Sequence, residues 1–336
     1  MGKITWIGGP PSNKPQKHAE ISPDTCTTPP QVTATSHEPK PIIDKLSIVW
    51  TVPTAKLAQE LYFDAMHQLS NDSEFFKSAG KPPHGFQLAK KITSPSTGET
   101  AHFAYNYNKA DKLANRFRIE LTPSRLGLDG LMEIHGVLTS LLPDGFRHFV
   151  ADGKITRIDI AVDLVGVRLS KVKVLPLAAQ SSAAWFGASG KPETLQWGKA
   201  KGNHTQVYNK TLEQAKKGVV LAGPQVTRIE RRFKNPPCKK LSDLPGMSNP
   251  FAGLVLTDGV PPAPPSGPPY VWPFFCDSVA VRGLDAAVKL LPKHKRPAYR
   301  KAFLAAKPTW WNPEAAWVAW PETLASLKLL DPGAWK

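Results

Sequence analysis

Tyr208 stands in the run Gln206-Val207-Tyr208-Asn209-Lys210-Thr211-Leu212-Glu213, with Arg157-Ile158-Asp159-Ile160-Ala161-Val162-Asp163 upstream and Arg228-Ile229-Glu230-Arg231-Arg232 downstream. A phenol can attack phosphorus and hold the product covalently. Spaced carboxylates with open coordination positions suit Mg2+ or Mn2+, which polarises a phosphodiester and stabilises charge on the leaving oxygen. Arginines and lysines beside them bind non-bridging phosphate oxygens. Taken together, these residue types point to phosphate chemistry on DNA. A free phenol has a pKa of about 10 and needs a neighbouring cation or base to ionise. Lys210 or Arg228 is placed to give that help.

The chemistry requires these segments to share a surface. Strand side chains alternate faces, so Arg157, Asp159, Ala161 and Asp163 point one way while Ile158, Ile160, Val162 and Leu164 point the other. The apolar side accounts for burial. The charged side must then meet solvent, a metal or a ligand, because unpaired buried charge is costly. By the same alternation Gln206, Tyr208 and Lys210 share a face, as do Arg228, Glu230 and Arg232, and Arg116, Arg118 and Glu120. The plain alternative for each is a solvated strand face, with Arg157 paired to Asp159. Tyr208 also has competitors in Tyr62, Tyr105, Tyr107, Tyr270 and Tyr299, and composition alone does not favour it.

The chain has 336 residues, a formal charge of +16 and 41% hydrophobic residues, so it can build a core and still present excess positive charge to a polyanion. Nucleic acid is the first partner to expect and an acidic membrane surface the second. No apolar run is long enough to span a bilayer, and the N-terminus lacks a secretory h-region. The 3 cysteines are widely spaced with no C-x-x-C, so neither a zinc ribbon nor a disulfide framework is expected, and a reducing cytoplasm fits. None of the histidines forms an H-x-H or H-E-x-x-H motif.

Proline divides the chain. Residues 1–41 read as a disordered, proline-rich arm, and 236–273 as a proline-rich excursion ending in Pro261-Pro262-Ala263-Pro264-Pro265. Between them, 42–235 reads as a mixed domain. Strands are expected over 42–52, 84–93, 100–107, 116–121, 155–165, 193–198, 204–210 and 225–233. Helices are expected after Thr54, over 131–142 and over 175–186. The order recurs: Tyr107-Asn108-Lys109 precedes Arg118-Ile119-Glu120 as Tyr208-Asn209-Lys210 precedes Arg228-Ile229-Glu230. The expected fold is therefore α+β, a curved and largely antiparallel sheet of two β-α-β-β-β-like halves (42–121 and 155–233) with helices on one face. Residues 274–336 add a small C-terminal helical region, rich in Lys, Arg and Trp, whose tryptophans serve either base stacking or packing onto the main domain.

Ile42-Ile43-Asp44-Lys45-Leu46-Ser47, the Arg157–Asp163 run, Thr194-Leu195-Gln196-Trp197-Gly198-Lys199, Tyr208-Asn209-Lys210-Thr211-Leu212-Glu213 and Arg228-Ile229-Glu230 occur in the order in which similar segments occur in the rolling-circle replication initiation factors of phages and plasmids. That group also includes relaxases of some conjugative elements. Arg118-Ile119-Glu120-Leu121-Thr122-Pro123-Ser124-Arg125-Leu126-Gly127 resembles it too. The chain departs from the pattern at Gly198-Lys199-Ala200-Lys201-Gly202 and at Gln206-Val207, where relatives carry arginine.

The resemblance implies an enzyme that nicks one strand at an origin, stays joined to the 5′ phosphate through tyrosine, leaves a primer 3′ hydroxyl and later re-closes the strand. It implies Tyr208 as nucleophile, with Lys210, Glu213 and Arg228 beside it. The metal, Mg2+ or Mn2+, would fall to Asp159, Asp163 and Glu230, with Glu120 also in reach. Arg116, Arg118, Arg157, Lys199, Lys201 and Arg232 would contact DNA. Origin DNA, a host helicase and polymerase, a second copy of the chain and the cytoplasm of a bacterial host follow as expected surroundings. The competing expectations are a non-enzymatic DNA-binding protein, such as a degenerate initiator or repressor, and a conjugative relaxase with the same chemistry.

Overall fold

Strand β1 (Pro41–Thr51) buries Ile43, Leu46, Ile48 and Trp50, and the spacing of that set shows how the sheet is made. Ile43 and Leu46 are an odd number of residues apart, so strict alternation fails between them. The pairing register with β6 (Lys154–Val165) shifts at the same place, from Ile43 opposite Ile160 to Lys45 opposite Asp159. This is a β-bulge, which inserts a residue and re-aims side chains. Asp44 and Lys45 consequently both reach the polar side, where Asp44 pairs with Arg228 and Lys45 with Glu120.

The computed structural model describes residues 39–54, 56–61, 75–107, 115–169, 172–176, 181–199, 201–258, 267–305 and 311–335. The expected N-terminal arm therefore lies almost wholly outside the described residues, as do Tyr62, Met66 and Leu69. Beyond β1 and β6 the strands are β2 (Phe76–Ser78), β3 (Leu88–Thr93), β4 (Thr100–Asn106), β5 (Arg116–Leu121), β7 (Val172–Pro176), β8 (Ser182–Phe186), β9 (Pro192–Gly198), β10 (His204–Asn209), β11 (Val226–Phe233) and β12 (Leu254–Asp258). An open 10-stranded sheet runs β2-β3-β4-β5-β1-β6-β11-β10-β9-β8, and β7 pairs with β12 apart from it. Every neighbouring pair is antiparallel. The order is symmetric about β1 and β6. In each half the last strand returns to pair with the first.

Core residues occupy one face. Phe103, Tyr105, Phe117, Ile119, Ile158, Ile160, Val162, Val207 and Ile229 are nearly inaccessible, each contributing about 1.5–3 kcal/mol of transfer free energy if fully buried. Phe117 stacks on Tyr105 at 4.0 Å, and Trp50 stacks on Phe117 at 5.9 Å. Helices α1 (Pro123–Thr139) and α2 (Arg147–Asp152) cover this face over β1. α1 begins well before the expected 131, since Pro123 at its first turn is pre-set for a helix. It breaks at Gly127, whose φ of +61° suits glycine. Thr54 caps residues 56–61 as expected, its Oγ1 accepting from Leu57 N at 3.2 Å.

The expected helix over 175–186 is not formed among the described residues. β7 ends there and β8 follows. Alanine-rich Leu175–Phe186 has helical propensity, but open strand edges at β9 and β12 capture both ends; tertiary pairing outweighs a few tenths of a kcal/mol per residue. Helix α3 (Lys210–Ala215) follows β10, so Lys210 opens a helix and does not continue the strand face.

The segment after β11 also departs from expectation. In the expected proline-rich excursion, Leu241, Leu244, Met247 and Phe251 are buried in the main core before β12, and 259–266 lie outside the described residues. Residues 274–336 divide between two clusters. α4 (Val271–Arg282), α5 (Leu284–Lys289) and α6 (Arg296–Ala305) pack their own core around Trp272, Phe275, Tyr299 and Phe303. α7 (Pro313–Val318) and α8 (Trp320–Ser326) belong to the main core, with Trp311, Trp320 and Trp335 buried there. Those tryptophans are packing residues: Trp320 donates to Leu244 O at 2.8 Å and Trp311 to Leu254 O at 3.3 Å.

Candidate active site around Tyr208

Tyr208 is the second-to-last residue of β10, and its neighbours explain the spacing of the motif. Asn209 caps α3 by accepting from Leu212 N at 2.9 Å. Thr211 accepts from Val226 N at 2.8 Å, tying the helix start to β11. The strand-to-helix turn swings Lys210 back, with its Nζ 5.7 Å from the Tyr208 ring centre. Glu213, one helical turn on, holds Lys210 at 2.8 Å and also pairs with Lys217. Gly198, ending β9, has φ +99°, and a Cβ there would lie 2.7 Å from Asn203 O, so the tight β9–β10 hairpin requires glycine.

Across the sheet, Tyr208 is opposite Arg228 and Gln206 is opposite Glu230. The Tyr208 hydroxyl donates to Glu230 Oε2 at 3.3 Å. It lines an open cleft of about 380 Å³ with Trp185, Thr194, Gln206, Glu213, Glu230 and Arg232. The phenol is therefore neither sealed in the core nor turned to the helix-covered side. The other described tyrosines differ: Tyr105 is buried and donates to Ala58 O at 2.9 Å, Tyr107 packs half-buried against the main core just past β4, Tyr299 is buried in the α4–α6 cluster, and Tyr270 lies exposed beside α4.

The carboxylates are held in a lattice of arginines. Arg228 grips Asp163 through two bonds of 2.7 Å and also pairs with Asp44. Asp159 is fully buried between Arg157 (2.9 and 2.5 Å) and Arg232 (3.0 Å). Arg232 also reaches Glu230 Oε1 at 2.9 Å. Glu120 binds Arg118 at 2.5 Å and Lys45 at 3.2 Å, on the far side of β1 from Glu230. Each of Asp44, Glu120, Asp159, Asp163 and Glu230 is paired with a cation among Lys45, Arg118, Arg157, Arg228 and Arg232.

The expected metal set is thus not brought together as a cage. Glu120 stands apart, and Asp159 and Asp163 are engaged by arginines. Among the described residues no group of three or more His, Cys, Asp or Glu side chains is placed to hold a metal ion. The donors present fit a Mg2+-type ion that takes one or two carboxylates and completes its shell with substrate phosphate and water. Glu230 Oε2, which takes the phenol and no arginine, is such a donor. Asp44, which raises the Glu230 pKa, is already held by Arg228.

Charges in the site shift one another. Tyr208 is pushed far above the ordinary phenol range by burial first and Glu230 next; Asp44 and Glu213 add to this, while Arg228 pulls the other way. Glu230 is itself raised, by burial and then by Asp159 and Asp44. Lys210 is lowered by burial and by Arg228. For Glu213 burial opposes ionisation, but hydrogen bonds from Lys210, Lys217 and Gln214 outweigh it and hold the pKa near about 2. A carboxylate raised toward neutrality and touching a phenol is a candidate general base.

The expected DNA contacts divide. Lys199 and Lys201 are exposed at the β9–β10 turn. Arg118, Arg157 and Arg232 are spent on carboxylates, and Arg116 donates to Gly85 O at 3.2 Å. Asp44 and Trp185 were not among the expected site residues. Asp44 depends on the bulge, which alternation does not reveal, and Trp185 lay inside the expected helix. No family model matches the chain, and no curated protein does.

Proposed function

We propose that this chain is a tyrosine-dependent DNA nicking and closing enzyme of the rolling-circle initiator type. The observation that carries the reading is the Tyr208 hydroxyl, donating to Glu230 at the wall of an open cleft. In the forward step Tyr208 Oη attacks phosphorus, its proton passes to Glu230, and the P–O3′ bond breaks. The products are a 5′-phosphotyrosine and a 3′-oxygen that takes a proton from solvent. In closure a 3′ hydroxyl gives its proton to solvent and attacks phosphorus, the bond from phosphorus to the tyrosine oxygen breaks, and Glu230 returns its proton to the phenol. Mg2+ or Mn2+, held through one carboxylate with substrate phosphate and water, would supply charge stabilisation of the phosphodiester. Lys210 sits over the phenol ring and favours the phenolate as it forms. Origin DNA is the substrate in this reading, and a host helicase and polymerase are the partners that a nicked origin would need. No described helix is long and apolar enough to cross a membrane.

A second reading, a non-enzymatic DNA-binding protein, is favoured by the raised phenol and by the arginines already committed to carboxylates. Incubation with supercoiled plasmid carrying the cognate origin and Mg2+ or Mn2+ separates the two. The enzyme gives relaxed circles and a covalent protein–DNA species, both lost in Tyr208→Phe while binding persists. Normal nicking by that variant overturns the assignment of the nucleophile. Binding by the wild-type chain with no covalent species supports the second reading.

A further inference from the structure

Trp185 and Phe186 are 49% and 64% exposed on β8, the edge strand of the large sheet, where large aromatics gain little from packing. Trp185 is opposite Thr194, and Thr194 is opposite Tyr208. The three form one row across neighbouring strands, which puts the Trp185 backbone about two strand spacings, or roughly 10 Å, from the Tyr208 backbone. Trp185 lines the same cleft as the phenol. Gln206, in the next row, donates to Gln196 at 2.9 Å and also lines the cleft, so its amide is held in place there.

The charged lining of this cleft is Glu213 and Glu230 against Arg232. A bare phosphate gains little from such a wall. A neutral, planar group does not meet that repulsion, and an exposed indole offers it a face. Every nucleobase has such a face once it is unstacked. We propose that Trp185 is the stacking platform for one base of single-stranded DNA and holds the adjoining phosphodiester in front of the Tyr208 hydroxyl, with Gln206 at the base edge. This rests on the reading of the cleft as a DNA site. It adds that the substrate is engaged as an unpaired strand, and that base stacking needs no metal.

The test is fluorescence anisotropy of the full chain, in EDTA, with a short labelled single-stranded oligodeoxynucleotide and with a matched one made of abasic sugars. Trp185→Ala is expected to weaken binding of the base-containing strand by roughly 5- to 100-fold, and Trp185→Phe to restore most of it. The abasic strand is expected to bind wild type and Trp185→Ala alike. Unchanged affinity in Trp185→Ala, or equal binding of the two strands by wild type, overturns the platform. So does a dimer in sedimentation that Trp185→Ala turns into monomer, which would make β8 an interface between copies. The indole is exposed, so an unchanged circular dichroism spectrum and melting temperature are expected in every variant. Loss of stacking affinity in Trp185→Ala with no covalent adduct from wild type leaves the platform standing on a DNA-binding protein and removes the nicking reading. A normal adduct with unchanged Trp185→Ala affinity does the reverse.

Discussion

The two halves of the large sheet share a strand order and differ in what they carry. Arg118-Ile119-Glu120 on β5 and Arg228-Ile229-Glu230 on β11 hold equivalent register positions, opposite Val49 and Ser47 on β1 and opposite Asp163 and Ala161 on β6. On the outer side, Ala104 faces Arg118 where Tyr208 faces Arg228, and Ala89 faces Ala104 where Thr194 faces Tyr208. The repeated Arg-x-Glu is thus common architecture. The first half sets alanines outside Arg118 and His102 opposite Glu120, whereas the second sets a phenol and a hydroxyl outside Arg228, with Asp163 on β6 where Val49 stands on β1. Tyr107 does not hold the place of Tyr208, because Ala104 occupies the equivalent register position; Asn108 and Lys109 lie outside the described residues. A shared scaffold has been given reactive groups on one side only.

Substitutions at matched positions can break that comparison. The largest expected effect is on catalysis. Glu230→Gln should lower the nicking rate by about 10²-fold or more, the usual loss for a general base, while Glu120→Gln leaves it near wild type. Equal losses would place the base elsewhere.

Stability comes next. Arg228, only 8% exposed, neutralises both Asp44 and Asp163, so Arg228→Met should cost about 3–5 kcal/mol in urea unfolding. Arg118→Met leaves Glu120 its Lys45 partner and should cost less, about 1.5–3 kcal/mol. Similar values would mean the two arginines are equivalent after all.

A smaller effect belongs to Glu213. Its folded pKa is depressed from 4.5 to about 2, so its contribution is present above the unfolded value and is lost as pH falls through that window. Glu213→Gln should flatten the melting temperature of the chain between those pH values, measured by differential scanning calorimetry. The smallest effect is on binding. Lys199→Ala with Lys201→Ala should weaken DNA binding evenly across sequences and reduce the salt slope by about 2, whereas Thr97→Ala in the equivalent lysine-free turn of the first half should change neither.

Much of this was legible from residue order. The alternating Arg157–Val165 run announced its apolar and charged faces, and the hairpin around Ser94–Gly98 and the strand Arg116–Leu121 lie where turn chemistry and β-branched content put them. Leu175–Phe186 was misleading because alanine favours a helix only when no strand edge competes for it. Lys210 was placed on a strand because alternation does not register Asn209 as a cap.

Residue order alone specifies the antiparallel strands and the segregation of apolar from charged residues, since these follow from side-chain period read locally, whereas Tyr208 was singled out by the resemblance of its motif. Which charges meet follows from the assembled sheet. A bulge at Asp44 re-aims one carboxylate to Arg228. The pairing of β10 with β11 sets the phenol against Glu230, and the edge position of β8 brings Trp185 to the same cleft. Such contacts join residues far apart in the chain, and their register is set by the packing of the whole sheet, which no local pattern specifies.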